Sequence, residues 1–574
     1  MRKFLLGVLV GVIFTAVALF VFAFAIARIF QSKQPTIAGN SVLVLTWEGT
    51  IPEAAPVEIP IPFLQSQAMP TMRDMWASLR EAANDRRIKA VVLAPRGLSI
   101  GWAKLEELHD ELVQFKKSGK PLYAMLRGPG SREYYLASVA DKIYLSPDDM
   151  LDVKGFHLES MYFKGALDKV GVAVQTDHIG RFKDAADIFT RTDMTPETRE
   201  VLNEVLDRIY GDFCSTVAQG RHRSGDEVKA LVDQGPFTAA EAKAHGLIDE
   251  PGYEDQLYGD LKKKVGSADL KKLNIRTYVR ALPARGDRIA LIVGEGEILR
   301  TDPESKYTTD EALSSGNMAK IIRQVRDDSS VKGVILRVDS PGGDSTASDE
   351  LLHEMKLLSK AKPLVISFSD LAASGGYFMA MTGDPILSYP NTITGSIGAL
   401  YIRPNAHDLF NKIGIQDDII TRGKLADMDS PYLPLSDAAR QRLHDSLQAT
   451  YQSFVSKVAS ARKKTYDQID PLAQGRVWMG AEARQNGLVD ELAGLDRAVA
   501  LIRQRAKLSP TGDTNLIPYP PKRSLLEVLT SSSSDSLADA AAESKIRKLF
   551  PMLPTRSMLK GGIMRVLPYR FVVQ

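Results

Sequence analysis

Short apolar runs alternate with amphipathic helical runs along the chain. Residues 42–46, 90–93 and 122–126 have the length and composition of buried strands. Between them, 72–84 and 103–117 repeat their apolar positions with helical spacing. Strands that alternate with helices in this way are typical of a largely parallel sheet covered by helices. The pattern therefore predicts an α/β fold.

The same pattern occurs twice. IKAVVL at 88–93 matches VKGVIL at 331–336, and KVGV at 169–172 matches KIGI at 412–415, both 243 residues later. Matches that keep register over this length indicate an internal duplication. The domains predicted from them are listed here: a first α/β repeat at 40–262, a linker at 263–286, a second α/β repeat at 287–505, and a partly flexible C-terminal extension at 506–574.

The N-terminal segment is strongly apolar. Residues 4–27 carry no charge and would extend about 36 Å as a helix, enough to cross a bilayer. Residues 1–30 are therefore predicted to be a single transmembrane anchor; a cleaved signal peptide is the alternative, because AIA at 25–27 resembles a cleavage site. Arg2 and Lys3 favour a cytoplasmic N-terminus, although Arg28 and Lys33 weaken the asymmetry. With this orientation, everything after residue 30 lies outside the cytoplasm.

Composition narrows the function classes. With 44% hydrophobic and 25% charged residues the chain is globular, and a net charge of +3 gives no basic footprint for nucleic acid. Cys214 is the one cysteine, so an intrachain disulfide framework and a cysteine-based zinc cluster are excluded, and Cys214 is expected to be packed in a helix. Nothing in the sequence requires a metal or a cofactor.

Two glycine-rich turns in the second repeat carry the candidate chemistry. DSPGG at 339–343 and AASGG at 372–376 each follow a predicted strand. Phosphate binding is one reading of the first turn, but neither GKS/T nor GxGxxG is present. An oxyanion hole fits better, because Ser374 would project from a strand-to-helix turn between residues too small to block access.

A serine nucleophile needs a base. None of the eight histidines lies in a recognisable catalytic frame, although His178 is near other candidates, and SARK at 460–463 lies in a charged helix where solvent would keep its lysine protonated. A desolvated lysine is therefore the better candidate.

The duplication narrows the choice of lysine. Ser374-Gly375-Gly376 corresponds to Ser131-Arg132-Glu133, so the first repeat has bulky residues after its serine. Conversely, Lys183 of the first repeat corresponds to Ala426 of the second. Each repeat keeps what the other lacks, which predicts one composite site with its nucleophile from the second repeat and its base from the first.

With these motifs, the chain resembles the signal peptide peptidase A (protease IV) family in its long, duplicated form. The resemblance covers about 40–505 and implies two crotonase-like or Clp-protease-like domains after one transmembrane helix. It implies Ser374 as nucleophile, Lys183 as general base, Gly343 and Gly375 as oxyanion-hole donors, and Ser396 in the TGSIG segment as a lysine-orienting hydroxyl. It further implies a homotetramer at the cytoplasmic membrane, with the catalytic domains on its outer side, that cleaves signal-peptide remnants.

Two other functions stay open at this point. A crotonase-like acyl-CoA enzyme would use a similar glycine oxyanion hole without a serine nucleophile. A catalytically inactive membrane scaffold, derived from such a protease, would also retain the duplication.

Overall fold

The computed structural model describes residues 35–54, 69–300, 312–521 and 562–566, together with Gly11, Phe14 and Thr15. Strands of the first repeat are β1 (Ser41–Leu45), β2 (Glu48–Gly49), β3 (Ile88–Leu93), β4 (Arg96–Leu98), β5 (Leu122–Leu126), β6 (Lys142–Leu145), β7 (Met150–Leu151), β8 (Ala173–Ile179), β9 (Phe237–Thr238), β10 (Glu250–Pro251) and β11 (Lys271–Asn274). Strands of the second repeat are β12 (Asp287–Glu295), β13 (Glu297–Leu299), β14 (Ala312–Ser314), β15 (Gly333–Ser340), β16 (Gly342–Asp344), β17 (Leu364–Ala373), β18 (Ile386–Ser388), β19 (Ile393–Gly395), β20 (Ala399–Asn405), β21 (Val477–Met479), β22 (Glu491–Leu492), β23 (Thr514–Tyr519) and β24 (Gly562–Val566).

Helices lie between these strands. Those of the first repeat are α1 (Met72–Asn84), α2 (Trp102–Lys116), α3 (Ser131–Ala137), α4 (Lys164–Val170), α5 (Asp187–Thr190), α6 (Pro196–Gly220), α7 (Gly225–Val232), α8 (Ala239–Ala244), α9 (Glu254–Val265) and α10 (Ile275–Ala281). Those of the second repeat are α11 (Ser315–Asp327), α12 (Ser345–Ala361), α13 (Gly375–Met379), α14 (His407–Lys412), α15 (Asp437–Arg462), α16 (Tyr466–Ile469), a 3₁₀ turn (Asp470–Leu472), α17 (Gly480–Asn486) and α18 (Leu495–Arg505).

Each repeat is built on one mainly parallel sheet. The first has the order β10-β6-β5-β3-β1-β11, and the second places β22, β18, β17, β15, β12 and β23 in the same sequence. In the second sheet, β19 and β21 extend the pairing beyond β17. Strands β3 and β5 are almost wholly buried, as expected for a parallel sheet with helices on both faces. The predicted α/β class and the tandem duplication are confirmed.

Both repeats extend further than the sequence suggested. Residues 263–286, predicted to be a linker, contain β11 and α10, and β11 pairs in parallel with β1. Residues 514–519, in the predicted flexible extension, form β23, which pairs with β12 in the same way. Strand β11 could not be predicted from its sequence, KKLN at 271–274, because Leu273 is its one buried residue. Charged edge strands show little apolar periodicity.

A third sheet joins the two repeats. Its order is β14-β13-β16-β24-β20-β8, so β8 of the first repeat lies at the edge of strands from the second. The pairing of β8 with β20 is antiparallel and runs from Ala399 opposite Ile179 to Asn405 opposite Ala173. This sheet places the segment after β8 against the ends of the second repeat's strands.

The interface between the repeats contains both apolar and charged contacts. Trp76 of α1 packs with residues of the second sheet such as Leu291. The guanidinium of Arg337 on β15 is fully buried, and it donates to Glu53 at 2.8 Å and to Glu107 of α2. Burial opposes the ionisation of Glu53, but Arg337 and Lys104 lower its pKa overall.

In the part of the chain that the structure describes, no helix is both long and apolar enough to cross a membrane. The predicted anchor at 1–30 lies outside the described residues except for Gly11, Phe14 and Thr15. Cys214 is buried in α6, as predicted.

Replacing Arg337 tests the charged interface. Arg337→Ala should lower the free energy of unfolding by about 3–5 kcal/mol, because it leaves two buried carboxyl groups without their cation. Arg288→Ala is the matched control on the exposed end of β12, where the pair with Asp328 spans 3.8 Å, and it should stay within about 0.5 kcal/mol of the wild type. Urea unfolding followed by circular dichroism measures both; equal effects would contradict the proposed role of Arg337.

Candidate active site

Ser374 lies in a strained turn between β17 and α13. Its φ of 53° and ψ of −112° are unusual for a residue with a side chain, and its N–H is held by the Gly395 carbonyl at 2.8 Å. Such strain persists only where the surrounding structure imposes it. The turn projects the Ser374 hydroxyl into the protein, where the side chain is fully buried.

The Lys183 amine meets this hydroxyl. Lys183 follows β8 in the first repeat, and its Nζ lies 2.9 Å from Ser374 Oγ, 2.8 Å from Ser396 Oγ and 3.0 Å from Ser396 O. None of these three oxygen atoms carries a formal charge. Lys183 is as completely buried as Ser374, although the two residues are 191 positions apart in the chain.

Glycines of the second repeat form the walls around the lysine stem. A Cβ on Gly475, which has φ +75°, would lie 2.6 Å from Lys183 Cβ. A Cβ on Gly398 would lie 3.0 Å from Lys183 Cδ. Any side chain at Gly475 would therefore displace the lysine. Glycine at this position leaves the space that the lysine side chain occupies.

The two glycines predicted as oxyanion donors lie on β16 and α13, two elements that contact each other. Gly343 is in β16 with φ +152°, and a Cβ there would lie 2.1 Å from Ile298 O. Gly375 is the first residue of α13, where an amide has no acceptor inside the helix. Ser396 has φ +51°, and its N–H donates to the Arg476 carbonyl at 2.7 Å.

The alternative candidates lie elsewhere. Arg132, beside Ser131, donates to the Ile100 carbonyl at 3.1 Å, and its guanidinium lies 5.5 Å from the Trp102 ring centroid. His178 Nδ1 is 3.1 Å from Gly180 O, and Lys463 is exposed at the end of α15. The structure thus brings Lys183, Ser374 and Ser396 together and fills the corresponding turn of the first repeat with a bulky side chain.

A buried cation supports both glycine-rich turns. Lys104 of α2 lies 2.7 Å from Asp339 and 3.9 Å from Asp370, the residues that begin DSPGG and the DLAASGG segment. Asp370 also accepts from the N–H groups of Gly101 at 2.9 Å and Lys104 at 2.8 Å. Asp339 accepts from Leu371 N–H at 3.1 Å, which ties the two turns to each other.

The pKa shifts agree with this arrangement. Burial opposes the charge on Lys104, but Asp339 and Glu53 raise its pKa overall, so the amine is a cation. Burial raises the pKa of Asp370 to about 6, with Lys104 acting against the shift and Asp339 adding to it. The cluster is therefore ionic, whereas Lys183 Nζ contacts hydroxyl and carbonyl oxygens at Ser374 and Ser396.

Sequence reasoning missed this cluster. Asp339 and Asp370 lie next to the two glycine-rich motifs, so their position before the turns can be read from the sequence. Lys104 had no comparable signal, because it belongs to an ordinary helix of the other repeat and only the packing of α2 brings it to β15 and β17.

Strand β24 is paired with the strand that carries Gly343, the candidate oxyanion donor. β24 pairs antiparallel with β16, with Arg565 opposite Gly343, and also with β20. Met564 is buried among apolar residues that include Ala185 and Leu400. The C-terminal extension thus pairs with strands of the second repeat that adjoin the site.

Comparisons with known proteins agree with this geometry. The model of Peptidase family S49 matches residues 114–268 and 356–509, one region in each repeat. The chain is 32% identical to the chloroplastic serine protease SPPA of Arabidopsis thaliana, over 90% of this chain and 76% of that protein. It is 34% identical to protease 4 of Salmonella typhi, over 76% and 72%, and 32% identical to protease 4 of Haemophilus influenzae, over 82% and 78%.

The protein is thus a serine protease built on a duplicated α/β unit. It belongs to Peptidase family S49. Of the three functions left open by the sequence, the comparisons support the protease rather than the acyl-CoA enzyme or the inactive scaffold.

Lys104 should affect the turnover rate because its contacts with Asp339 and Asp370 fix the positions of both glycine-rich turns. Lys104→Met should lower kcat by about 10–100-fold with little change in KM, because a displacement of about 1 Å in a catalytic group has an effect of this size. Lys104→Arg keeps the charge and should restore part of kcat. Peptide kinetics with melting temperature measured in parallel checks this; a loss of folding without a kcat defect in the folded fraction would contradict a positioning role.

Proposed function

We propose that the protein is an endopeptidase with a Ser374–Lys183 dyad that cleaves short apolar peptides, including remnants of signal peptides. The single observation that supports this most strongly is the 2.9 Å contact between Lys183 Nζ and Ser374 Oγ in a site closed to water. Complete burial disfavours the charged form of an amine. An uncharged Lys183 can accept the Ser374 proton, which is the task of a general base.

The reaction proceeds through an acyl-enzyme. Ser374 Oγ attacks the peptide carbonyl carbon while Lys183 takes the hydroxyl proton, and the C–N bond then breaks as Lys183 returns that proton to the leaving amine. Water, deprotonated by Lys183, next attacks the ester carbonyl carbon. The bond from that carbon to Ser374 Oγ then breaks as Lys183 returns the proton to Oγ, which releases the carboxyl product. Ser396 keeps Nζ oriented through its hydroxyl and carbonyl oxygens.

The N–H groups of Gly343 and Gly375 are the proposed donors to the oxyanion. Gly375 follows Ser374 directly at the start of α13, and Gly343 lies on β16, which contacts that helix. One preorganised donor of this kind is worth about 10²–10³ in rate. Each repeat would accordingly be a crotonase-like or Clp-like unit, specialised so that one supplies the base and the other the nucleophile and the oxyanion hole.

The substrate is proposed to bind as an added strand. β16 carries Gly343, and the chain's own β24 pairs with β16 and β20. A peptide in extended conformation could make the same main-chain hydrogen bonds. Because Ser374 is fully buried with β24 in place, substrate would have to displace this strand.

Location and assembly belong to the same proposal. The apolar segment 4–27 would anchor the chain in the cytoplasmic membrane, with both repeats on the outer side, and the enzyme would work as a homotetramer without metal, cofactor or nucleic acid. Peptides released in or near a membrane are the substrates that such an anchor would favour.

Loss of either dyad residue should abolish turnover. Ser374→Ala and Lys183→Ala should each lower kcat/KM for a peptide by at least about 10³, because nucleophile and base act as one unit. A fluorogenic peptide assay measures the loss, and a fluorophosphonate probe should label the wild type at Ser374.

Matched controls come from the other repeat. Ser131→Ala and Lys424→Ala change the equivalent or neighbouring positions and should keep wild-type activity. Normal cleavage by Lys183→Ala, with melting temperature unchanged, would rule out the dyad.

Removing β24 should open the site. Deletion of residues 562–574 should raise kcat/KM by about three- to tenfold, because substrate no longer competes with an intramolecular strand. Deletion of 567–574 alone keeps β24 and is the control; it should leave the rate unchanged. A folded 562–574 deletion with lower activity would instead mean that β24 is a structural part of the site.

A further inference from the structure

A short main-chain segment directly before β21 contacts the proposed base from two sides. Gln474 O accepts from the N–H of Phe182, the residue before Lys183, at 2.8 Å. Arg476 O accepts from Ser396 N–H at 2.7 Å. Ser396 in turn contacts Lys183 Nζ through its hydroxyl and carbonyl oxygens. A displacement of this segment would therefore move both the lysine and the serine that orients it.

The Arg476 side chain joins this segment to the first repeat. Its guanidinium donates to Glu200 at 2.7 Å and to the two carboxylate oxygens of Glu204 at 2.7 and 2.8 Å, both on α6. The same guanidinium lies 4.8 Å from the ring centroid of Phe182 and 4.8 Å from that of Trp478. Arg476 thus contacts carboxylates and an aromatic ring of the first repeat together with a ring of its own strand.

These contacts fix an orientation more than they stabilise the fold. The Arg476 side chain is 12% exposed, but Glu200 and Glu204 are 49% and 53% exposed. Ion pairs with carboxylates as exposed as these contribute little to the free energy of unfolding. A planar guanidinium that bonds carboxylate oxygens as a fork and lies near aromatic rings is, in contrast, closely constrained in direction. One of those rings belongs to Phe182, next to the proposed base.

The first repeat has no arginine at the equivalent position. The sequence AEA at 240–242 recurs 241 residues later, and this spacing places Gly235 at the position of Arg476. A Cβ on Gly235 would lie 1.7 Å from Val153 O, so a side chain does not fit there. Val153 is the counterpart of Ser396 at the 243-residue spacing. The arginine therefore occurs in the repeat whose serine contacts the proposed base.

We infer that Arg476 is a positioning residue that holds Lys183 and Ser396 in the geometry that Ser374 requires. It acts through its carbonyl oxygen on Ser396 and through the Phe182 ring on the segment that carries the lysine. The inference rests on the proposed Ser374–Lys183 dyad. Loss of the guanidinium should lower kcat rather than raise KM, because the distance between amine and hydroxyl changes while the substrate-binding strands remain.

Replacement of Arg476 in the full-length protein tests this role. Arg476→Ala should lower kcat for a fluorogenic peptide by about 10–100-fold, with KM within about twofold of the wild type. Arg221→Ala is the matched control, because Arg221 is 10% exposed and donates through two nitrogens to the carboxylate of Asp249 in the first repeat. The control should keep the wild-type kcat.

Added guanidinium distinguishes positioning from a general loss of stability. The free ion can bind the carboxylates and rings that Arg476→Ala leaves without their cation, so it should restore part of kcat. Guanidinium chloride is used below the concentrations that unfold the protein, and sodium chloride at the same concentration controls for ionic strength. The wild type and Arg221→Ala should show no gain, since their arginines are in place.

Arg476→Lys extends the test if the alanine variant does not fold. A lysine ammonium cannot bond both carboxylates as a planar fork, so kcat should still fall. The inference is overturned by a wild-type kcat in Arg476→Lys or in folded Arg476→Ala. A loss of kcat in Arg476→Ala that guanidinium does not reduce would also overturn it.

Fluorophosphonate labelling separates this inference from the dyad itself. The wild type should be labelled at Ser374 and Lys183→Ala should not, and failure of either result would count against the dyad. Arg476→Ala should be labelled more slowly than the wild type, because its base is displaced from the hydroxyl. If the first two results hold and Arg476→Ala is labelled at the wild-type rate, the dyad stands and the role of Arg476 is wrong.

Discussion

The proposed active site depends on the antiparallel pairing of β8 with β20. The lysine and the serine belong to different repeats, and each repeat alone has only one of them. The strand pair fixes the position of the segment after β8, so Lys183 reaches the turn after β17. Gly475 and Gly398, which lack side chains, then leave room for the lysine stem. A small slip in this pairing would move the amine away from the hydroxyl and turn alternate side chains to the wrong face.

The two buried lysines, Lys183 of the proposed dyad and Lys104 behind the glycine-rich turns, lie in different electrostatic environments. Lys183 meets hydroxyl and carbonyl oxygens, whereas Lys104 meets carboxylates. A carboxylate favours the cationic form of a nearby lysine, whereas burial disfavours that form. The same residue type therefore serves as a proposed base at one position and as a permanent cation at the other. Arg337, with Glu53 and Glu107, extends the ionic cluster across the interface between repeats.

The duplication also explains why a repeat with a bulky residue in its own nucleophile turn is still needed. The first repeat contributes the lysine, the cation behind both turns and one edge of the joining sheet. Its Arg132 packs against Trp102 in place of the small residues that a nucleophile turn requires. In the proposed mechanism, loss of one function in each copy is compatible with activity because the two copies share a single site.

By itself, the sequence determined the α/β class, the duplication and the pairing of Ser374 with Lys183 as candidates. These follow from local periodicity, from a constant spacing and from a comparison of two copies, all of which are properties of the linear chain. The tertiary structure decided the rest. Edge strands β11 and β23 were missed because polar edges carry little apolar pattern, and β24 because its partners lie more than 150 positions away. Lys104 could not be found because its role arises only where helix α2 of one repeat packs against strand ends of the other, and nothing in local sequence encodes a contact of that range.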